Sequence, residues 1–254
     1  MADYVSIDGA RLEYVWHGPP PLHAPTLVFL HEGLGSISQW RNFPAELSSR
    51  LGCGALVYSR CGHGKSDALN GPRTIGFMHE EATAVLPRLL EVFEIHRPIL
   101  VGHSDGASIA LIYAGSGGDP FALALEAPHV FVEDVTVTRI AELRELYKTT
   151  DLRTKLARHH SNVDSLFQSW TEVWLRPEFR RWNIEAYLPD VRCPTLVIQG
   201  KQDEYGTDKQ VDALIAMLGG RCEGIMLDDC GHAPHLDQPR HVEDLMARFI
   251  RGLE

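Results

Sequence analysis

The feature that most constrains the fold of this chain is a series of short aliphatic runs, each ending in a turn that contains Gly, His or Asp. Thr26–Leu30 runs into HEGLGS, Ala55–Ser59 into RCGHGKSD, Ile99–Val101 into GHSDG, and Thr195–Ile198 into QGKQDEYG. Runs this short, apolar throughout and without polar alternation, predict strands buried on both faces. Between them lie helical patterns. Val85, Leu86, Leu89, Leu90 and Phe93 share a face, although Pro87 must kink that helix or open its regular part. A second pattern, Asp208 to Gly219, carries Val211, Leu214, Ile215 and Leu218 and ends on a glycine pair suited to a C-cap. Pro239 opens a last helix striped by Val242, Leu245, Met246, Phe249 and Ile250. Strands alternating with helices predict an α/β protein with a doubly wound sheet covered on both faces.

The alternation stops after the strand-like Leu123–Glu126. Three helix-like segments follow between 129 and 189, with no strand among them. The expected division is therefore a core of residues 1–128 and 190–254, with a helical insertion at 129–189. The clearest helix of that insertion carries Val163, Leu166, Phe167, Trp170, Val173 and Trp174 on one stripe, and Trp182 follows. Packing onto the core is the ordinary fate of such a stripe. Trp170, Trp174 and Trp182 are also the candidates for roofing a pocket.

Composition narrows the function classes. With 254 residues and a net charge of −10, the chain has the length for one large α/β core but not the clustered Lys and Arg that a nucleic-acid partner requires. The start, MADYVSIDGARLEYVWHG, alternates polar and apolar residues and has no signal-peptide pattern, and no apolar run is long enough for a membrane span. The five cysteines, Cys53, Cys61, Cys193, Cys222 and Cys230, are odd in number and form no CxxC pair, which fits reduced thiols in a cytoplasm. A small-molecule substrate is the expected partner, and oligomeric state leaves no mark in the sequence.

The stretch Val101-Gly102-His103-Ser104-Asp105-Gly106 places Ser104 between a strand and the helical Ala107–Tyr113. Gly102 and Gly106 relieve crowding at such a sharp turn, which projects Oγ out of the sheet and aims the first helical amides at a reacting carbonyl. A serine hydroxyl is a weak nucleophile without a base and an acid to orient that base. Both follow in sequence: Asp203 in the turn after Thr195–Ile198, and His232 after the strand-like Gly224–Leu227. Glu204 competes with Asp203 as the acid. His103, His235, His159 and His160 compete with His232, the tandem pair suiting a helix C-terminus. A zinc site from Cys230, His232 and His235 lacks a fourth ligand and leaves the serine unexplained.

With this order of Ser, Asp and His, the chain resembles the α/β-hydrolase superfamily, in particular its capped esterases and C–C hydrolases. The resemblance spans nearly the whole chain and implies an eight-stranded, mostly parallel sheet opened by a hairpin of Tyr4–Ile7 and Arg11–Trp16. It also implies that 129–189 is a helical cap inserted after strand 6. Catalytic roles fall to Ser104, His232 and Asp203, with no metal or organic cofactor. The backbone N–H of Asp105 and that of Gly33, or else Leu34, would form the oxyanion hole. The superfamily usually has His-Gly where this chain has His31-Glu32, so Glu32 departs from the pattern; Glu32 and Leu34 join the tryptophans as candidate pocket residues. The turn Arg60 to Ser66 reads as architecture, and Cys61 has no identifiable base.

The expected reaction is hydrolysis of an ester or related acyl bond through an acyl-enzyme. The alternatives are C–C bond hydrolysis of a ring-fission diketone, ligand sensing, and cofactor-free oxygenation or perhydrolysis on the same scaffold. Asp105 raises a separate problem, because a carboxylate facing the forming oxyanion would oppose it. Its side chain is therefore expected to turn to a cap or core donor such as an Arg or His, or to a polar or cationic part of the substrate, an amine or hydroxyl, with Glu32 as its companion in the second case.

Overall fold

The computed structural model describes residues 2–253, and in it the aliphatic runs become strands of one eight-stranded sheet. The strands are β1 (Asp3–Ile7), β2 (Ala10–His17), β3 (Thr26–Leu30), β4 (Gly54–Tyr58), β5 (Ile99–His103), β6 (Ala122–Glu126), β7 (Thr195–Gly200) and β8 (Cys222–Leu227). Their order across the sheet is β1-β2-β4-β3-β5-β6-β7-β8. β2 runs antiparallel to both neighbours, and every pairing from β4 to β8 is parallel.

Side-chain alternation along these strands sorts the core into two layers. Leu27, Phe29, Val57, Val101 and Ile198 pack on one face against α1 (Phe43–Leu51) and the C-terminal helix; Val28, Leu30, Leu56, Leu100 and Leu125 pack on the other. That second layer holds α2 (Phe77–Glu80), α3 (Leu86–Val92) and α4 (Asp105–Gly115). The helix α4 is buried on almost every side, as its uniformly apolar or small residues require. A single π turn, Glu81–Val85, joins α2 to α3 immediately before Pro87. The expected kink at Pro87 is thus taken up by a wide turn in the segment whose hydrogen bonding the proline disrupts.

Between β6 and β7 the chain forms α5 (Asp134–Thr149), α6 (Leu152–Leu156) and α7 (Val163–Trp174), then two 3₁₀ turns, Pro177–Arg181 and Glu185–Asp190. No sheet strand interrupts them among the described residues. After β7 come α8 (Asp208–Met217), α9 (Pro234–Asp237) and α10 (Pro239–Arg251). The expected C-cap of α8 is not where the glycines are: the helix stops at Met217 and Leu218 is extended. Gly219 and Gly220 instead let the loop pass close to other backbone, since a Cβ would lie 2.1 Å from the Pro189 carbonyl oxygen and 2.4 Å from that of Arg192. No helix among the described residues is long and apolar enough to cross a membrane.

The strand order reverses between β3 and β5. After β3 the chain adds β4 on one side, and later β5 on the other. The loops leaving the carboxyl ends of these strands therefore separate and open a crevice, where ligands of such sheets bind. They are the loop beginning at His31 and the turn at Ser104.

Candidate active site

Ser104 occupies the turn between β5 and α4 with φ 53° and ψ −117°. A non-glycine residue held there costs on the order of 1–3 kcal/mol, so the surroundings must enforce the conformation. They do so through close packing. A Cβ on Gly106 would lie 1.9 Å from the Leu30 carbonyl oxygen, and one on Gly102 would lie 2.7 Å from Ala107 Cα. The Ser104 N–H donates to the Glu126 carbonyl at 2.9 Å, while its own carbonyl accepts from Ala107 and Ser108. The hydroxyl is left to point into the crevice.

Two loops converge on that hydroxyl. Ser104 Oγ lies 2.9 Å from His232 Nε2, and His232 Nδ1 lies 2.8 Å from Asp203 Oδ1. The same carboxylate oxygen accepts the Tyr205 N–H at 2.8 Å, which fixes Asp203 against the turn after β7. Burial works against charge on Asp203, but the neighbouring His232 outweighs it and holds the carboxyl below the usual range. Glu204 is exposed, and of the two adjacent carboxylates only that of Asp203 bonds the imidazole. The structure thus brings Ser104, His232 and Asp203 into one hydrogen-bonded line.

The loop after β3 is held by its carbonyls. Arg60 donates from its guanidinium to the His31 carbonyl and, at 2.9 Å, to that of Glu32. His63 Nε2 meets the Gly33 carbonyl at 3.1 Å, and His160 Nε2 meets that of Leu34 at 2.8 Å. Burial, the largest influence on His63 and His160, keeps both below the usual histidine range. With the carbonyls occupied, no hydrogen bond within the described protein uses the N–H of Gly33, Leu34 or Asp105. The Arg60–Ser66 turn is therefore architecture in the service of this loop. His160, expected at a helix C-terminus beside His159, instead also accepts the Gly64 N–H at 2.9 Å and ties the inserted segment to both core loops. Cys61 directs its half-buried thiol to the carbonyls of Asp67 and Ala68, and burial pushes its pKa up.

A cavity of about 120 Å³ lies beside Ser104 and His232. Glu32, Gly33, Leu34, Trp170 and Trp174 line it, as do His129, Thr136, Ile140, Leu143 and Tyr205. Trp182 does not: it stacks on Phe179 at 5.6 Å and sits behind Trp174 at 6.3 Å, because the chain has left α7 before reaching it. The second set of lining residues went unnoticed in the sequence. His129 and Tyr205 each sit just beyond a strand end, three residues after Glu126 and five after Gly200, and that position is the one signal that marks them.

Asp105 has found a structural donor in the inserted segment, a tryptophan rather than an Arg or His. Trp170 Nε1 donates to Asp105 Oδ2 at 2.9 Å, joining α7 to the first residue of α4. Burial raises the Asp105 pKa, opposed by Arg60, by the Trp170 bond and by Arg73. Gly33 makes room for this contact, since a Cβ there would lie 2.1 Å from the same indole nitrogen. Glu32 lies 3.5 Å from His103 Nδ1, and His103 Nε2 donates to the His232 carbonyl at 2.7 Å. Burial opposes the charge of His103, but Glu32 outweighs it and raises the imidazole to about 9. His103 thus braces the His232 loop, while His235 bonds Glu126 Oε2 at 2.7 Å beneath it.

Residues 27–244 match the alpha/beta hydrolase family. Among curated proteins, a stretch of 155 residues is 27% identical to an sn-1-specific diacylglycerol lipase of Danio rerio, covering 61% of this chain and 40% of that one. A monoacylglycerol lipase of Xenopus laevis is 30% identical over 77 residues, covering 30% of this chain and 23% of that one. These alignments take in less than half the length of either relative. Among solved structures, an enol-lactonase of Burkholderia xenovorans superposes with TM-score 0.76 at 22% identity, over 98% of this chain and 100% of that one. A thermophilic esterase of Thermogutta terrifontis gives 0.73 at 17% identity, over 100% and 99%. Such identities establish likeness of fold.

Proposed function

The chain belongs to the alpha/beta hydrolase family, and on that premise we propose that it is a serine hydrolase acting on small carboxylic esters. The observation that carries this reading is the line Asp203–His232–Ser104, with links of 2.8 and 2.9 Å. In the proposed reaction His232 takes the Ser104 proton as Oγ attacks the carbonyl carbon, and Asp203 fixes the tautomer that leaves Nε2 free to accept. The N–H groups of Asp105 and Gly33 receive the developing oxyanion. Collapse breaks the bond to the alcohol, which leaves with the proton from His232. Water then enters by the same route and releases the acid.

The segment 129–189 acts as a cap in this reading, because Trp170 and Trp174 of α7 and Thr136 and Ile140 of α5 close the cavity over Ser104. Its volume supports a short acyl group. A cavity of about 150 Å³ holds a benzene molecule, and this one, at about 120 Å³, is smaller. Turnover of p-nitrophenyl acetate and butyrate should exceed that of the octanoate by at least about tenfold in kcat/KM, since a longer chain must displace the cap. Preference for the octanoate would overturn the size argument. Absence of turnover on every chain length, together with no labelling by a serine-directed phosphonate, would overturn the hydrolase reading.

A further inference from the structure

The cavity beside Ser104 is lined by two acceptors, Glu32 and His129, with capacity for further donors. Among the described residues the Glu32 carboxylate has His103 Nδ1 at 3.5 Å as its one side-chain partner, which leaves lone pairs for further donors, and its side chain remains 22% exposed at the cavity. His129 is 2% exposed and also lines the cavity; its backbone bonds Ser108, but neither ring nitrogen has a hydrogen-bond partner. Burial, reinforced by the nearby His232, pushes His129 down to about 3, so its imidazole is neutral and one nitrogen carries a lone pair. Of the side-chain donors in the lining, Trp174 Nε1 is buried without a hydrogen-bond partner in the described protein, and three are already committed. Thr136 Oγ1 donates to the Tyr205 carbonyl, Trp170 Nε1 to Asp105, and Ser104 Oγ to His232. Trp170 can therefore offer a ligand its ring, but not its N–H.

A carboxylate, a neutral imidazole and the indole rings of Trp170 and Trp174 together suit a cation that donates hydrogen bonds. We infer that this cavity recognises an ammonium group carried next to the scissile carbonyl, so that the preferred acyl group is that of a small amino acid. The inference rests on the ester-hydrolase reading above and names its substrate class. An ammonium has donors for both Glu32 and His129, whereas a hydroxyl has one. The cavity of about 120 Å³ restricts the side chain to the size of glycine or alanine. Ser104 Oγ bonds to the aminoacyl carbon, the alkoxide leaves with the proton from His232, and water cleaves the ester so formed to give the free amino acid.

The test uses the wild-type protein and three ethyl esters of nearly equal size: L-alanine, L-lactate and isobutyrate, which place an ammonium, a hydroxyl and a methyl at one position. Rates are followed by pH-stat at pH 6.5, where most of an α-amino group with pKa about 7.7 is charged. Each kcat/KM is divided by the rate constant for hydroxide hydrolysis of the same ester, which removes intrinsic reactivity. The corrected value for the alanine ester should exceed that for isobutyrate by about tenfold to a hundredfold, the worth of a hydrogen bond to a charged group, with lactate between them. In Glu32→Gln the alanine-to-isobutyrate ratio should fall at least about tenfold. A wild-type ratio within about threefold of one, or lactate equal to alanine, overturns the inference but leaves ester hydrolysis standing. Failure of all three esters overturns the inference, and, joined by absence of phosphonate labelling, it overturns ester hydrolysis as well.

Discussion

The ends of the central strands and the segment 129–189 meet at one cavity, yet they are built on opposite principles. Ser104, Asp203 and His232 each stand a few residues past a parallel strand, and at Ser104 backbone packing leaves little freedom: Gly102 and Gly106 are in contact with backbone that no side chain could share. The inserted segment reaches the same space through side chains on α5 and α7, held by a few polar ties such as Trp170 to Asp105, His160 to Leu34, and Thr207 to Glu133. The comparison teaches that the proposed bond-making groups are fixed by the sheet, whereas the shape and polarity of the pocket are set by elements that can change without disturbing them.

The sheet side of this contrast gives the largest expected effects. Ser104→Ala should lower kcat by roughly 10⁶ while leaving the denaturation midpoint nearly unchanged. If the sheet does not fix the chemistry, substantial activity will survive in a contaminant-free preparation. Asp203→Asn should cost roughly 10⁴ in kcat by favouring the wrong imidazole tautomer, whereas Glu204→Gln should stay within about threefold of wild type. An interchange of those two results would move the acid to Glu204.

A smaller effect arises at the brace between the two sides. The folded pKa of His103, about 9, lies above its ordinary 6.5. Its contribution is therefore complete below about pH 6.5 and is lost as pH rises through about 9, on the order of 3 kcal/mol over the whole span. Glu32, Glu126, His235 and the His232 carbonyl are the polar groups around it. Unfolding free energies measured between pH 6 and 10 should fall more steeply for wild type than for His103→Gln. Parallel curves would remove the brace from the account. The smallest effect belongs to the inserted segment: Trp170→Phe should destabilise by about 1–3 kcal/mol, because Asp105 then has no donor. Asp105→Asn in that background should add less than its separate cost, and simple additivity would show that the contact carries no energy.

What could be read in the sequence follows the same division. Strands buried on both faces leave contiguous aliphatic runs, and a serine on a sharp turn leaves its glycines, so β3 to β7 and the neighbourhood of Ser104 are visible locally, while the partly buried edge strand β8 is marked more weakly. The boundaries shifted by a residue or two, as at β8, which begins at Cys222 rather than Gly224. Features decided by distant contacts left no such trace. Gly219 and Gly220 resembled a helix cap, yet they answer to the carbonyls of Pro189 and Arg192. Trp182 continued an aromatic series without continuing its helix, and His160 looked like the end of a helix until Gly64 and Leu34 were seen to claim both its nitrogens. His129, Thr136 and Tyr205 were missed because nothing in their own segments distinguishes a cavity wall from a buried core.

Covalent labelling tests the central claim most directly. After incubation with a fluorophosphonate, intact-mass measurement and peptide mapping should find one adduct per chain, on Ser104, with labelling lost in Ser104→Ala and slowed in His232→Ala. No adduct on a folded protein, or an adduct on another residue with Ser104→Ala still hydrolysing esters at the wild-type rate, would contradict the account.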